Sequence, residues 1–494
     1  MSLSGGKPLP QVQRGRRSGL PYTAGMRPLL FVLALLAVPG CGHAAGQSRG
    51  SAPASATEMR ALLAELIAVD TSNPPGNEAA AAQVAARWLR EAGIESQLAE
   101  PAPGRAHLIA RLKGNGRARP VLVLAHLDTV PARKEEWASD PWTLTERDGL
   151  LYGRGVQDNK GMAAASVLAL RRLKREGVKL SRDVVLVLSA DEEVGSGHGI
   201  EWLLEHHPEL REAELAINEG GLTELTADRS RVRFVNLQAA ERVSRNVVLK
   251  ATGPGGHSSV PPAAPNPMVR LAAAVARVGA LTFPTRLMPV TRLNVEGRVK
   301  VTDGELGEAL KRLAASPDNP PQEAVDAIAR LEPALAAVLH TTCVPTVFNA
   351  GTRPNVIPAT AEATVNCRLL PDEDIQAFRA RLVAAVNDPD IQVELNMTPP
   401  DSPASPVGDN AMFRAATAAA AKVWPGAPVF PRMSTGTTES SALRRAGIHA
   451  YGIDLFALTP DDARTAHAPN ERIPVASLQP GAEFVFHLLS GLAK

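Results

Sequence analysis

Three short aliphatic runs in the first half of the chain are each followed at once by acidic or histidine residues. Residues 121–125 read VLVLA, 184–188 read VVLVL and 213–217 read AELAI. Aliphatic runs of this length predict buried strands, and the helical patterns at 161–176 and 199–207 favour a parallel sheet of the α/β class. The carboxyl ends of parallel strands meet at one edge of a sheet, where open α/β sheets bind ligands. We therefore expect the polar residues after these runs to converge on one crevice.

The pattern of hydrophobic residues also predicts where the folded part begins and where the alternation of strands and helices ends. Apolar residues recur at helical spacing from about Thr57, in TEMRALLAELIAVDTS. From about Glu241 the chain leaves the alternation of strands and helices. Residues 245–251 alternate as an edge or hairpin strand does, and 344–350 and 361–368 read as two strands around a turn.

Composition narrows the class of protein. The 494 residues give room for two or three domains, and 45% hydrophobic with 21% charged residues is ordinary for a globular chain. Lysine and arginine number 53 against 51 aspartate and glutamate, without a long run of one sign, which argues against a nucleic-acid partner. Only Cys41, Cys343 and Cys367 are available as thiols, too few and too far apart for a thiolate metal cluster. Any metal must therefore be held by histidine and carboxylate.

The N-terminus has the layout of a secretory signal peptide. Residues 26–40 read MRPLLFVLALLAVPG, an arginine followed by an apolar run too short for a stable membrane span of about 20 residues. We interpret 1–45 as this signal peptide, with Met26 as a candidate true start, and 46–56 as a polar linker. VPGC resembles a bacterial lipobox that would lipidate Cys41, and ordinary cleavage shortly afterwards is the alternative. Both predict an exported bacterial protein, either periplasmic or a membrane-anchored lipoprotein.

Several residues behind the strands have metal-ligand chemistry, each with a simpler alternative. His126 and Asp128 point to the same side of an extended segment, so the carboxylate could fix the tautomer of the histidine. Asp158 lies in a glycine-rich turn before a helix, where capping the helix is the alternative. Glu192 and Glu193 are adjacent carboxylates that would repel each other in a dry site unless cations or protons offset them. A solvated acidic loop is the alternative for that pair.

Eight motifs occur in a specific order along the chain. They are HLD, GVQDNKG, ADEEVGSG, NEGG, GGHSS, RPNVIP, GTTES and AHAPNE. The last contains His467, which by itself could be a surface histidine. The ordered series resembles the zinc-dependent peptidase and deacylase superfamily that includes glutamate carboxypeptidase, aminoacylase, acetylornithine deacetylase and succinyl-diaminopimelate desuccinylase. The resemblance runs from about residue 57 to the C-terminus.

The resemblance implies an α/β fold in two domains. A zinc-peptidase-type catalytic domain with a central, mostly parallel sheet is expected from 57–241 and 399–494. An inserted α+β lid domain is expected at 242–398. Residues 284–340 carry helical patterns that would make this lid long.

The resemblance also implies a site for two zinc ions. Asp158 would bridge the ions. His126 and Glu219 would complete the ligands of one ion, and Glu193 and His467 those of the other. Nitrogen and oxygen ligands suit zinc, and cobalt or manganese are alternatives.

Two further catalytic roles follow from the resemblance. Glu192 would be the general base that takes a proton from the attacking water and passes it to the leaving nitrogen. Asp128 would orient His126. The chain departs from the superfamily at Asn218, where an aspartate often precedes the glutamate ligand, and this puts the charge around Glu219 in doubt.

Substrate and oxyanion contacts are implied outside the metal ligands. His257, in a glycine turn of the lid, would help to hold the oxyanion, and a structural histidine is the alternative. Asn355 and Arg368 would contact substrate or oxyanion, and the planar fork of Arg368 suits a carboxylate. Gly436 lies in a loop resembling the one that holds the substrate backbone, and a plain connection between strand and helix is the alternative.

The long lid and the phrases NEGG, GGHSSVPP and FNAGTRPNVIP resemble most the branch of carboxypeptidase S and the N-fatty-acyl amino acid hydrolases. A long lid could cover the edge through which shorter lids dimerise, so both monomer and homodimer remain open. Cys343 and Cys367 flank the Asn355 turn at nearly equal offsets. A disulfide between them is one interpretation, but we favour two separate buried thiols.

These observations predict an exported dinuclear zinc hydrolase. Its substrate would be a small peptide or an N-acyl amino acid, cleaved at an amide bond next to a free carboxylate, as by a carboxypeptidase or an amidohydrolase. An aminopeptidase or dipeptidase on the same scaffold is the first alternative, and a metal-free binding lipoprotein is the second. A serine hydrolase is disfavoured because no G-x-S-x-G elbow follows a predicted strand; the one match to this pattern, GQSRG at 46–50, falls in the predicted linker.

Overall fold

The computed structural model describes residues 56–397 and 402–494. The predicted signal peptide, its candidate start at Met26, the lipidation site Cys41 and nearly all of the predicted linker lie outside the described residues. None of the helices in the two described ranges combines the length and the apolar composition needed to cross a bilayer.

The helices are α1 (Ala56–Ile67), α2 (Glu78–Glu91), α3 (Lys160–Arg175), α4 (Ile200–His206), α5 (Pro267–Gly279), α6 (Pro289–Val299), α7 (Gly304–Ala315), α8 (Gln322–Leu331), α9 (Pro333–Ala337), α10 (Ile375–Val386), α11 (Ala411–Val423), α12 (Ser440–Arg445), α13 (Pro460–Ala463) and α14 (Leu478–Ala493).

The strands are β1 (Ser96–Ala102), β2 (Arg105–Leu112), β3 (Val121–His126), β4 (Thr145–Arg147), β5 (Leu150–Tyr152), β6 (Val184–Ser189), β7 (Leu215–Asn218), β8 (Leu222–Leu225), β9 (Val232–Glu241), β10 (Val243–Thr252), β11 (Gly256–His257), β12 (Thr342–Ala350), β13 (Val356–Ile357), β14 (Thr360–Leu369), β15 (Ile391–Leu395), β16 (Val429–Ser434), β17 (His449–Gly452), β18 (Ala457–Leu458) and β19 (Arg472–Pro474).

The largest sheet has the strand order β1-β2-β6-β3-β7-β17-β9-β8-β18, with β16 paired to β9. Its centre, β6, β3, β7 and β17, is parallel, and antiparallel pairs lie towards both ends. The three aliphatic runs of the sequence form β3, β6 and β7, in which every residue is buried. The predicted α/β fold with a mostly parallel central sheet is thus confirmed.

Helices cover both faces of this sheet. Val121 and Val123 pack into a core formed with α1, α3, α11 and α14. Their neighbours Leu122 and Leu124 face the opposite side, in a core shared with α4 and α12. Successive side chains of a strand point to opposite faces, so a strand covered on both sides must be apolar throughout.

The carboxyl ends of the central strands lie together, as the pattern predicted. His126 ends β3 and is paired in register with Ser189, which ends β6. Asn218 ends β7. The polar residues that follow these strands therefore start from one edge of the sheet.

A second sheet forms a separate lid. It is antiparallel, with the order β12-β14-β10-β15. Its buried face packs with α5 and α10 around residues such as Leu249, Val365 and Phe378. The strands predicted at 344–350 and 361–368 correspond to β12 and β14.

The predicted lid range 242–398 is divided between two cores in the structure. Helices α6 to α9 contribute Val295, Leu310 and Ile328 to the large core of the catalytic part, and none of their residues belongs to the described core of the lid. Helix α6 lies directly on β16. A Cβ atom at Gly297 would lie 2.5 Å from the ring of Phe430. The helical insertion thus extends the catalytic part, although it interrupts the lid in sequence.

The preference for two separate lid thiols is wrong. Cys343 and Cys367 form a disulfide. They are opposite each other in register on β12 and β14, with their Cα atoms 4.0 Å apart. The equal offsets from the Asn355 turn reflect this register, because residues equally far from the turn face each other across an antiparallel pair.

Candidate active site and metal centre

Asp158 lies between two histidines at the edge of the central sheet. Its Oδ1 atom is 2.8 Å from Nε2 of His126, and its Oδ2 atom is 2.8 Å from Nε2 of His467. One carboxylate thus presents one oxygen to each histidine. This arrangement would allow one carboxylate to be shared between two ions.

Each histidine also faces a second carboxylate. Oε2 of Glu219 is 3.3 Å from Nε2 of His126, and Oε2 of Glu193 is 3.2 Å from Nε2 of His467. Ligand atoms around a tetrahedral zinc ion, each about 2.0–2.1 Å from the metal, lie roughly 3.3 Å from one another. The structure therefore brings together two sets of three candidate ligands, and Asp158 belongs to both sets.

The donor chemistry fits a pair of divalent cations. The carboxylates of Asp158, Glu193 and Glu219 exceed the charge that two histidines could balance. Oε1 of Glu193 is buried and has no hydrogen-bond partner among the described residues. Potential ligand atoms of His126, Glu192 and Glu219 lie within 4.8 Å of one another, so the carboxylate of Glu192 lies beside the same site.

The close contacts among these carboxylates and histidines shift their pKa values. Hydrogen bonds to Asp158 and Glu193 raise the pKa of His467 to about 10. Burial opposes ionisation of Asp158, but hydrogen bonds from His126 and His467 hold its pKa well below the usual range. Burial and the charge of Glu219 raise the pKa of Glu192 well above its usual range. A dication would relieve the repulsion among these carboxylates.

Glu471 holds the turn that carries Asp158. Its buried carboxylate accepts hydrogen bonds from the backbone N–H groups of Gly155, Gln157 and Asp158, at 2.9, 2.7 and 3.1 Å. It also accepts a 2.8 Å hydrogen bond from the buried Arg154. Glu471 belongs to the motif that contains His467. Glu471 therefore joins the turn that carries Asp158 to the segment that carries His467.

Asp128 supports His126 and the loop after β6. Nδ1 of His126 lies 3.0 Å from the backbone carbonyl of Asp128 and 3.5 Å from its Oδ1. The Asp128 carboxylate also accepts hydrogen bonds from the backbone N–H groups of Glu192 and Glu193. Burial works against ionisation of Asp128, but its contacts with His126 and Asn73 lower its pKa.

A buried network behind Asp128 was missed by the sequence analysis. Nδ2 of Asn73 donates to Asp128 at 2.9 Å and to Asp191 at 3.1 Å. Arg105 bridges Asp191 to the fully buried Glu78. No motif joins these residues, which are spread over more than a hundred positions. Only the phrase SNPPG before α2 marked Asn73 as a turn residue.

Asn218, the departure from the superfamily pattern, is buried at the end of β7. Its Nδ2 donates to Oγ of Ser440 at 3.2 Å. The neighbouring Glu439 accepts a 2.7 Å hydrogen bond from Ser189, and burial raises its pKa to about 8. The glutamate ligand candidate Glu219 instead accepts a hydrogen bond from Asn159.

The three predicted lid contacts lie on the strands β11 and β14 or next to β13. His257 and Asn355 lie together at an exposed two-stranded sheet, where β11 pairs with β13 and the Ser258 N–H donates to the Asn355 carbonyl at 3.0 Å. Arg368 is partly exposed on β14, and its Nε lies 3.3 Å from Oδ1 of Asn366. None of these three lines the cavity over the ligands.

A cavity of about 290 Å³ opens over the candidate ligands. Asp158, Glu192, Glu219 and His467 are among its lining residues. Its wall also includes Thr437 and Thr438, which follow the predicted contact Gly436. Gly436 itself is exposed, with its N–H 3.2 Å from Oγ of Ser434.

Comparison with known proteins gives a family match. Residues 122–491 match the model of peptidase family M20/M25/M40. The chain is 28% identical over 402 residues to the N-fatty-acyl-amino acid synthase/hydrolase PM20D1 of Mus musculus, covering 78% of this chain and 76% of that protein. It is 26% identical over 438 residues to Aminoacylase-1A of Rattus norvegicus, covering 87% and 94%.

The fold also matches a solved structure. The M20 family metallo-carboxypeptidase Sso-CP2 from Sulfolobus solfataricus superposes with a TM-score of 0.66 at 21% identity. The match covers 88% of this chain and 98% of that one.

Proposed function

Because this chain belongs to peptidase family M20/M25/M40, we propose that it is a dinuclear zinc hydrolase cleaving an amide bond next to a free carboxylate. Membership confirms the resemblance carried by the eight ordered motifs. It makes the protein a metal-dependent hydrolase of amide or peptide bonds. The number and kind of ions, the residue roles and the substrate class are the proposal.

One observation carries the dinuclear site. The two oxygens of Asp158 each lie 2.8 Å from a different histidine, and each histidine has its own second carboxylate. His126 and Glu219 would hold one ion, Glu193 and His467 the other. Two ions held there would polarise a carbonyl oxygen and lower the pKa of water.

Glu192 is proposed as the general base. Its carboxyl group lines the cavity beside His126 and Glu219. A base in this place can accept the proton of the attacking water and deliver it to the nitrogen that leaves when the amide bond breaks. The buried backbone contacts of Asp128 with Glu192 and Glu193 keep the base and a ligand in fixed positions.

The substrate class is supported by the relatives. An N-acyl amino acid and a carboxypeptidase substrate share an amide bond next to a free carboxylate. PM20D1 and the metallo-carboxypeptidase are named for these two substrate types. Arg368, the contact that the resemblance implies for the substrate carboxylate, is partly exposed on the lid and forms no ion pair with a described carboxylate, although it does not line the cavity.

The substrate class is tested with four compounds. The zinc-loaded protein is given N-acetyl-norleucine, its carboxyl amide, the dipeptide Ala-norleucine and its amide, and free norleucine or norleucine amide is measured. We expect the two compounds with a free carboxylate to be cleaved. The two amidated compounds should react at least about tenfold more slowly, because they lose one charge-assisted contact. Equal cleavage of the amidated dipeptide would replace the proposal with an aminopeptidase.

We also propose that the protein is exported and anchored through Cys41. The signal-peptide pattern at 26–40 supports export. The disulfide between Cys343 and Cys367 gives separate support, because such bonds persist mainly in oxidising compartments. Mass spectrometry of the mature N-terminus tests this. Lipidated Cys41 is expected, plain cleavage would remove the anchor only, and an unprocessed N-terminus would contradict export.

A further inference from the structure

Asp454 places a carboxylate in the wall of the catalytic cavity. It lies in the loop between β17 and β18 and is partly exposed there. Of the other carboxylates in this wall, Asp158, Glu192 and Glu219 belong to the proposed metal centre or act as its base. Asp454 is left without a role in the reaction described above.

Among the described residues, no lysine, arginine or histidine forms an ion pair with Asp454. Its Oδ1 accepts a 3.0 Å hydrogen bond from the backbone N–H of Phe456, and its Oδ2 has no partner among the described residues. Arg432 is near enough to act on it electrostatically, but its guanidinium donates to the carbonyl of Gly221 at 2.8 Å. None of the described residues lining the cavity is a lysine or an arginine.

The position of Asp454 is fixed relative to the proposed metal centre. Oγ1 of Thr223 donates to the Asp454 carbonyl at 2.6 Å. At Gly221 a Cβ atom would lie 2.5 Å from the Asp454 nitrogen, so the loop packs closely against the segment after Glu219. The backbone of Asp454 is therefore held at a set place beside the cavity, and the hydrogen bond from the Phe456 N–H restrains its carboxylate.

The cavity wall next to Asp454 is aliphatic. Met162, Ile453, Leu455 and Leu458 line it, and each is at most 3% exposed. An aliphatic stem ending in a cation matches such a surface, because its methylene groups cover apolar wall and its charged end meets a carboxylate. Burial raises the pKa of Asp454 to about 7, and a bound cation would favour the ionised form.

We propose that Asp454 is a specificity residue that binds an ammonium or guanidinium group at the end of an aliphatic arm of the substrate. The enzyme then prefers amides that carry such a cationic arm over neutral amides of the same length. This inference rests on the proposed function, since it assigns a substrate class to the same cavity.

Two matched pairs of substrates test the preference and locate the arm. Nα-acetyl-lysine and Nα-acetyl-norleucine differ by the ammonium group at the end of the amino acid side chain. 6-Aminohexanoyl-glycine and hexanoyl-glycine differ by the same group on the acyl side. The ratio of kcat/KM within each pair is measured for the wild-type zinc-loaded protein and for two variants.

Asp454→Asn is the informative variant. An asparagine keeps the oxygen that accepts from Phe456, so the loop contact is retained while the charge is removed. The matched control is Asp461→Asn, which removes an exposed carboxylate from the neighbouring helix α13.

We expect the wild type and Asp461→Asn to favour the cationic member of one pair by roughly tenfold to a hundredfold, the range of a charge-assisted contact. In Asp454→Asn the ratio should fall to nearly one. A wild-type ratio near one in both pairs, or an unchanged ratio in Asp454→Asn, would overturn the inference. Failure to cleave any of the four compounds would instead count against the proposed function.

Discussion

Residues that never touch the proposed metals determine where the ligands stand. Asn73 contacts two carboxylates at once, Asp128 beside His126 and Asp191 in the loop after β6. Asp191 has a positive φ of 67° and also accepts from Ser196 and from the His198 backbone. Such outer contacts orient ligands and keep the charged groups hydrogen-bonded when they are buried.

Replacing Asn73 with alanine should therefore weaken the metal centre without removing a ligand. We expect zinc affinity and amide hydrolysis to fall by about 10-fold to 100-fold, the usual effect of losing a contact that orients a ligand. Competition with a chromophoric chelator measures the affinity. Asn115→Ala, at an exposed loop position, is the control. Unchanged zinc affinity in Asn73→Ala would show that Asp128 does not depend on this contact.

The ligand candidates were predictable because each follows a buried strand or belongs to a dense motif. His126 and Glu219 are placed by β3 and β7, whose aliphatic runs identify them. Asn73 and Arg105 were not predictable in the same way. Their partners are distant in sequence, and a single polar residue in a turn or at the start of a strand does not show which residue it will contact.

At the level of elements, strands were predicted better than the packing of helices. The strand expected at 361–368 is observed at Thr360–Leu369. The alternation of apolar and polar residues predicts both the strand and the face that it buries. The helices in 284–340 were also expected, yet they pack on the catalytic part instead of the lid. An amphipathic pattern shows that one face of a helix is buried, but not which neighbour buries it.

The disulfide links the outer strand β12 to β14 and should stabilise the lid. We expect the double substitution Cys343→Ser with Cys367→Ser to lower the free energy of unfolding of the lid by about 2–4 kcal/mol, the usual contribution of such a crosslink. Chemical denaturation followed by circular dichroism measures it. Wild-type protein with and without reductant is the control. Equal stability of all three samples would contradict a structural role for this bond.

At the scale of the whole molecule, the site is assembled from distant parts of one chain. His126 lies near the start of the catalytic part and His467 near its end, and both reach the same carboxylate. The sequence could predict this meeting only through the ordered motifs. The relation between the lid residues His257 and Asn355 and the metal ligands depends on how two separately packed cores are placed, which no local pattern encodes.

The central claim is that two ions lie at Asp158 and that Glu192 acts beside them as a base and not as a ligand. The most direct test measures bound zinc and hydrolysis of N-acetyl-norleucine in the same samples of wild type and Glu192→Gln. We predict two zinc ions per chain in both proteins and a loss of at least about a hundredfold in kcat for the variant. Fewer than two ions in the wild type, loss of an ion in Glu192→Gln, or full activity of that variant with both ions bound would contradict the claim.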